Sequence, residues 1–216
     1  MKKAILFDWN GVLVKERILD NHDRNELYNK VLNNTATQDQ VKLLVQSFEK
    51  FEPLWDMLPK LTKHFKLCVV NNGPKATMDY WDEYYEYSRF MKFVNSEEVG
   101  IAKPNPEIYR LACELIGVNT DEVIYMDDSC GFPTETEALN MKFIHWDTFE
   151  VGFEKFKHFL REVLELDIWQ CGSNQADDRR DNRTFYETQS EGQNESYSNG
   201  LTRNARRKSI GGYNKF

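Results

Sequence analysis

ILFDWNGVLV, residues 5–14, puts an aspartate at the end of an apolar run, an asparagine two residues later and then a glycine. The apolar residues 4–7 followed by D-W-N-G read as a buried strand that runs into a loop. KLCVVNNGP, residues 66–74, repeats the pattern, a short apolar strand ending in an Asn-Gly-Pro turn. Working outward, further strands are expected at 93–94, 123–126 and 142–145, separated by helical segments at 75–88, 106–116 and 133–139. Strands alternating with helices predict an α/β fold, a Rossmann-like parallel sheet with helices on both faces. Ligands of such sheets bind beyond the carboxyl ends of the strands. Asp8, Asn71, Asp127 and Asp128 all fall at such ends.

Between the first two strands the period becomes helical. Thr37 and Gln40 make a capping-box signature, and Val41, Leu44, Val45 and Phe48 follow at i, i+3, i+4, i+7, which predicts an amphipathic helix paired with an earlier one at 21–33. Pro53 suits the first turn of the next helix, where Leu54, Leu58 and Leu61 form a stripe ending near His64. A last helix is expected from Phe149 to about Leu166, with Phe153, Phe156, Leu160, Val163 and Leu164 on one face. The expected division is a core of 1–14 and 53–170, a small helical cap of 15–52, and a polar tail of 171–216 whose composition reads as disordered.

The bulk numbers exclude several classes. At 216 residues, 40% hydrophobic and 29% charged, the chain suits one globular domain plus an addition. Asp and Glu outnumber Lys and Arg by 35 to 28 for a formal charge of −7, so neither nucleic acid nor an anionic membrane is an expected partner. Cys68, Cys113, Cys130 and Cys171 form no C-x-x-C pair and have no histidine at metal-ligand spacing, which suits reduced thiols in a cytoplasmic protein. The apolar stretch ending at Asp8 is too short for a signal sequence or a membrane span. The sequons at Asn33, Asn182 and Asn194 then carry little weight. The last fourteen residues hold five Lys or Arg and no Asp or Glu, so this basic end is either solvated or docks to the body or to an acidic protein partner. RRKS at 206–209 is a weak phosphorylation motif. The aromatic run YWDEYYEYSRFMKF, 80–93, packs against sheet or cap, or offers a platform to a partner.

Asp8, Asp127 and Asp128 at neighbouring strand ends would repel one another unless a cation sat among them. Mg²⁺ prefers hard oxygen ligands and keeps waters and phosphate oxygens in its shell. A carboxylate beside such an ion can attack a phosphoryl group to form an aspartyl phosphate. Lys103, in GIAKPNPEIY, can neutralise charge on the nucleophile and on the phosphoryl oxygens. Taken singly, each aspartate is a strand-end turn or a helix cap; their conjunction points to chemistry.

From about Lys3 to Trp146 the chain resembles the haloacid dehalogenase (HAD) superfamily of hydrolases, in the subgroup with a helical cap after the first strand. ILFDWNGVLV is similar to that family's first motif, KLCVVNNGP to its second, GIAKPNPEIYRLACELIGV to its lysine motif, and EVIYMDDSCGFPTETEALNMKFIHW to its fourth. The resemblance implies a HAD-like core in which Asp8 is the nucleophile and a Mg²⁺ ligand, the Asn10 carbonyl a second ligand and Asp128 a third. It further implies that Lys103 stabilises charge, that Asn71 with the following Asn72 amide holds the phosphoryl group, and that Asp127 supports the site.

The chain also departs from the family. Phosphatases of this type carry a second aspartate two residues after the nucleophile as general acid and base, and here that residue is Asn10. An amide cannot move that proton, and a positioned acid–base group is worth roughly 10²–10⁴ in rate. Asn71 replaces a usual Ser or Thr but can still donate to a phosphoryl oxygen. Phe132 falls where an Asp or Asn normally supports the metal. Only 62 residues separate Asp8 from Asn71, which leaves room for a short cap and an open site. The expectation is a Mg²⁺-dependent phosphatase with reduced turnover, acting on a phosphorylated small molecule or phosphoprotein. The alternative is an inactive HAD-like binding or regulatory protein, and dehalogenation is a weaker third.

Overall fold

The computed structural model describes residues 1–17, 21–130, 133–163 and 165. The first strand, β1 (Ala4–Phe7), is buried along its whole length, and after the D-W-N-G turn the chain enters β2 (Val14–Glu16). Helices α1 (Asn21–Leu32) and α2 (Gln38–Gln46) follow, then β3 (Phe48–Lys50), which pairs antiparallel with β2. Short helices α3 (Glu52–Trp55) and α4 (Leu58–Leu61) lead into β4 (Lys66–Asn71), and α5 (Met78–Tyr85) leads into β5 (Lys92–Asn95). Next come α6 (Ser96–Val99), α7 (Pro106–Ile116), β6 (Val123–Asp127), α8 (Pro133–Ala138), β7 (Lys142–His145) and α9 (Phe149–His158). All of these lie in one compact unit, Met1–Ser173. The expected polar tail and its basic end, with Phe132, Leu164 and Leu166, lie outside the described residues.

The main sheet is parallel in the order β5–β4–β1–β6–β7. The chain leaves the central strand β1 toward one edge through β4 and β5, then reaches the other through β6 and β7. The strand order therefore reverses at β1, where open α/β sheets form their ligand crevice. Phe7 is level with both Val69 and Met126, so the carboxyl ends of β1, β4 and β6 come together.

Alternation along the strands covers both faces, as expected. Ile5, Phe7, Leu67, Val69, Ile124 and Met126 share one core with Leu54, Leu58, Leu61, Phe156 and Leu160. Ala4, Leu6, Cys68, Val70, Val123 and Tyr125 share the other with Ile108, Ala112 and Cys113 of α7. Helix α7 spans the residues that sequence predicts because both its ends are coded locally: Asn105 accepts from the Glu107 amide at 3.0 Å, and Gly117, at φ +63°, ends it.

Three segments differ from expectation. Residues 15–52 hold the β2–β3 hairpin as well as two helices, and Val41, Leu44 and Val45 of α2 join the first core. The 53–61 stripe breaks into two turns because Pro59 has no amide to donate and its ring crowds the carbonyl four residues back. Helix α5 stops at Tyr85, where Glu86 turns left-handed at φ +53°, and does not run to Ser88. The aromatic run packs inward: the rings of Trp81, Tyr85, Tyr87 and Phe93 surround the buried Trp9 at 5.3–5.7 Å between centroids. Among the described residues, no helix is long and apolar enough to cross a membrane.

Candidate active site

Asp8 extends β1 by one residue, and its amide donates to the Met126 carbonyl at 2.8 Å, which ties it to β6. One carboxylate oxygen, Oδ1, accepts from the Trp9 amide at 2.7 Å and lies 2.8 Å from Lys103 Nζ. The other, Oδ2, has no hydrogen-bond partner among the described residues. The turn behind it is held by the Trp9 carbonyl, which accepts from the Leu13 and Val14 amides at 3.0 Å each. Gly11, at φ +85°, is needed twice over: its backbone is left-handed, and a Cβ there would sit 2.4 Å from Asp128 Oδ2. Asn10 is exposed on this turn.

Lys103 is buried between two acids, 2.8 Å from Asp8 Oδ1 and 2.8 Å from Asp127 Oδ2. Burial lowers its pKa, but the two carboxylates outweigh that and leave it above the ordinary lysine value. Its backbone is clamped by Asn72, whose Nδ2 donates to the Lys103 carbonyl at 3.0 Å and whose Oδ1 accepts from the Lys103 amide at 2.8 Å. The Asn72 side chain therefore positions Lys103. Asp127 is fully buried and saturated: Tyr125 Oη donates to its Oδ2, and the Ser129 amide donates to Oδ1 at 2.7 Å. Burial, followed by the Asp127 charge, pushes the Tyr125 phenol well above its usual range, so it stays a donor.

Asn71 ends β4 beside Asn95, which ends β5, and Asn71 Nδ2 lies 3.2 Å from Asn95 Oδ1. Asp128 is exposed, with the His145 Nε2 atom 3.1 Å from its carbonyl oxygen. All seven residues singled out from sequence, Asp8, Asn10, Asn71, Asn72, Lys103, Asp127 and Asp128, line one cleft of about 150 Å³, together with Ser129. A larger cavity of about 740 Å³ lies between the β2–β3 hairpin and Tyr84–Tyr85, but there Lys15 and Arg17 both pair with Glu49 and no reactive set converges. Sequence reasoning missed Tyr125 and Asn95. Tyr125 had a signal, since two residues before Asp127 in a strand is the same face.

The donor set suits a hard divalent cation. Carboxylate oxygens of Asp8, Asp127 and Asp128 all lie within 4.8 Å of one another. Three carboxylates face one ammonium, and burial, against the pull of Lys103, raises the Asp8 pKa to about 7. That is the strain a bound cation relieves.

Comparison with known proteins bears on the family and the fold. The family description of haloacid dehalogenase-like hydrolases matches residues 26–130. Over that span, with the fold and the four motifs in order, the chain is similar to the haloacid dehalogenase-like hydrolases. Glyceraldehyde 3-phosphate phosphatase of Methanopyrus kandleri is 32% identical over 88 residues, 38% of this chain, and the match spans 37% of that relative's length. A HAD-like family hydrolase from Porphyromonas gingivalis superposes with a TM-score of 0.62 at 19% identity, covering 74% of this chain and 98% of that one. A HAD family enzyme from Bacteroides thetaiotaomicron, solved with magnesium and inorganic phosphate, gives 0.55 at 15% identity, covering 67% and 94%. At such identities these two structures speak for the fold.

Proposed function

We propose that the chain is a Mg²⁺-dependent phosphoric monoester hydrolase working through an aspartyl phosphate on Asp8, on a phosphorylated small molecule, with residues 15–52 as a small cap. The observation that carries this reading is Lys103 Nζ held 2.8 Å from Asp8 Oδ1 within the cluster of three carboxylates. Asp8 Oδ1 is occupied by two donors, so Oδ2 is the oxygen left to attack phosphorus. As the P–O ester bond breaks, Lys103 offsets charge on the nucleophile and the phosphoryl oxygens, and Asn71 donates to one of them. Asp8, the Asn10 carbonyl and Asp128 would hold Mg²⁺, which when bound shields the anions from one another. Asn10 has no proton to give the departing alkoxide and cannot take one from the attacking water. Both transfers fall to solvent, which makes turnover slow.

An aryl phosphate assay with Mg²⁺ tests the reading. Asp8→Asn is expected to abolish turnover, and Asn10→Asp to raise it by about 10²-fold or more. If wild type and Asn10→Asp are both silent across a broad panel of phosphate esters, the protein is a binding member of its family, the reading that Asn10 favours.

A further inference from the structure

Asn95 is fully buried at the carboxyl end of β5, level with Asn71, and nothing in the family motifs accounts for it. Its Oδ1 faces Asn71 Nδ2 at 3.2 Å, while its own Nδ2 is buried with no hydrogen-bond partner among the described residues. A buried amide N–H left unpaired is rare, and an under-satisfied carbonyl oxygen is less so. Turning both side-chain amides over exchanges O and N while every heavy-atom position stays filled. Asn95 Nδ2 then donates to Asn71 Oδ1, the orphaned donor disappears, and both N–H groups of Asn71 are released.

The surroundings hold this pair in place. Ser96 Oγ accepts from the Gly73 amide at 3.3 Å, which fastens the β4 loop to the end of β5. A Cβ on Gly73 would sit 2.5 Å from the near atom of the Asn71 amide, so the loop closes tightly over it. A serine or threonine at position 71 would turn its hydroxyl unaided, whereas an asparagine needs a donor to hold its carbonyl end away from an anion.

We propose that Asn95 is a positioning residue: its amide donates to Asn71 Oδ1 and turns the Asn71 NH₂ group into the cleft, toward a phosphoryl oxygen. This rests on the cleft being a phosphoryl site. The test is binding of inorganic phosphate in the presence of Mg²⁺, by calorimetry, so it does not depend on turnover. Asn95→Leu is expected to weaken phosphate binding roughly 10-fold or more, the scale of a hydrogen bond to a charged group. In an Asn71→Ser background, where a hydroxyl donates by itself, the same change should alter binding less than about twofold. The rise in Tm on adding Mg²⁺ should be the same in all variants. Asn95→Ala removes the donor without adding bulk, so it guards against a misfolded leucine variant; it too should cost more in the wild-type background than in the Asn71→Ser one. Wild-type affinity in Asn95→Leu, or an equal loss in both backgrounds, would overturn the proposal. A wild type that binds no phosphate would overturn the phosphoryl-site reading and this one with it.

Discussion

The cleft has two walls of opposite character. On one, Asp8, Lys103 and Asp127 are buried, charged and closely bonded to each other, to Tyr125 and to backbone amides. On the other, Asn10 and Asn71 are neutral amides, the first exposed, and behind Asn71 the buried Asn95 holds a nitrogen without a partner among the described residues. The ionic wall is fixed by the sheet itself, since its members sit on or beside β1 and β6. The amide wall is adjustable, because an amide can present either end. On the proposed function, the ionic wall decides whether phosphoryl transfer can occur and the amide wall decides how fast.

The largest effect should come from breaking the ionic wall. Lys103→Met leaves two buried carboxylates without their cation and is expected to cost about 3–5 kcal/mol in urea unfolding. A loss no greater than that of Asn71→Ala would erase the contrast between the walls. Gly11→Ala comes next: the left-handed backbone alone costs about 1–2 kcal/mol, and the new methyl displaces Asp128. The Mg²⁺-dependent rise in Tm should vanish in this variant while the fold, followed by far-UV circular dichroism, is kept.

The smallest effect is a slope. Burial raises Asp8 from 3.8 to about 7, so the folded protein holds that proton more tightly than the unfolded chain does. The resulting stabilisation is complete below about pH 3.8 and is lost as pH rises through about 7. Without divalent ions, Tm should therefore fall across this window more steeply in wild type than in Asp8→Asn. Equal slopes in the two proteins would mean that Asp8 is already ionised in the metal-free fold.

The ionic wall is legible in sequence and much of the amide wall is not, for a physical reason. Asp8, Lys103 and Asp128 stand in local signals, an acid closing an apolar strand or a lysine ahead of a capped helix. Asn10 and Asn71 are visible only as departures from a pattern. Asn95 has no local signature, because its meaning depends on β5 lying beside β4, a pairing between residues 24 apart. The β2–β3 hairpin is hidden likewise: three-residue strands whose partners, such as Val14 and Lys50, lie far apart in the chain give no period to read. Helix α7 is legible because its cap and its terminating glycine are its own neighbours.

One peptide bond joins Asp8 to Trp9, whose indole lies 5.3 Å from that of Trp81 and 6.2 Å from that of Trp55. Three indoles at such spacing share their electronic transitions. Asp8 thus carries its own optical reporter, and any event that shifts its backbone rewrites the near-ultraviolet spectrum without a label.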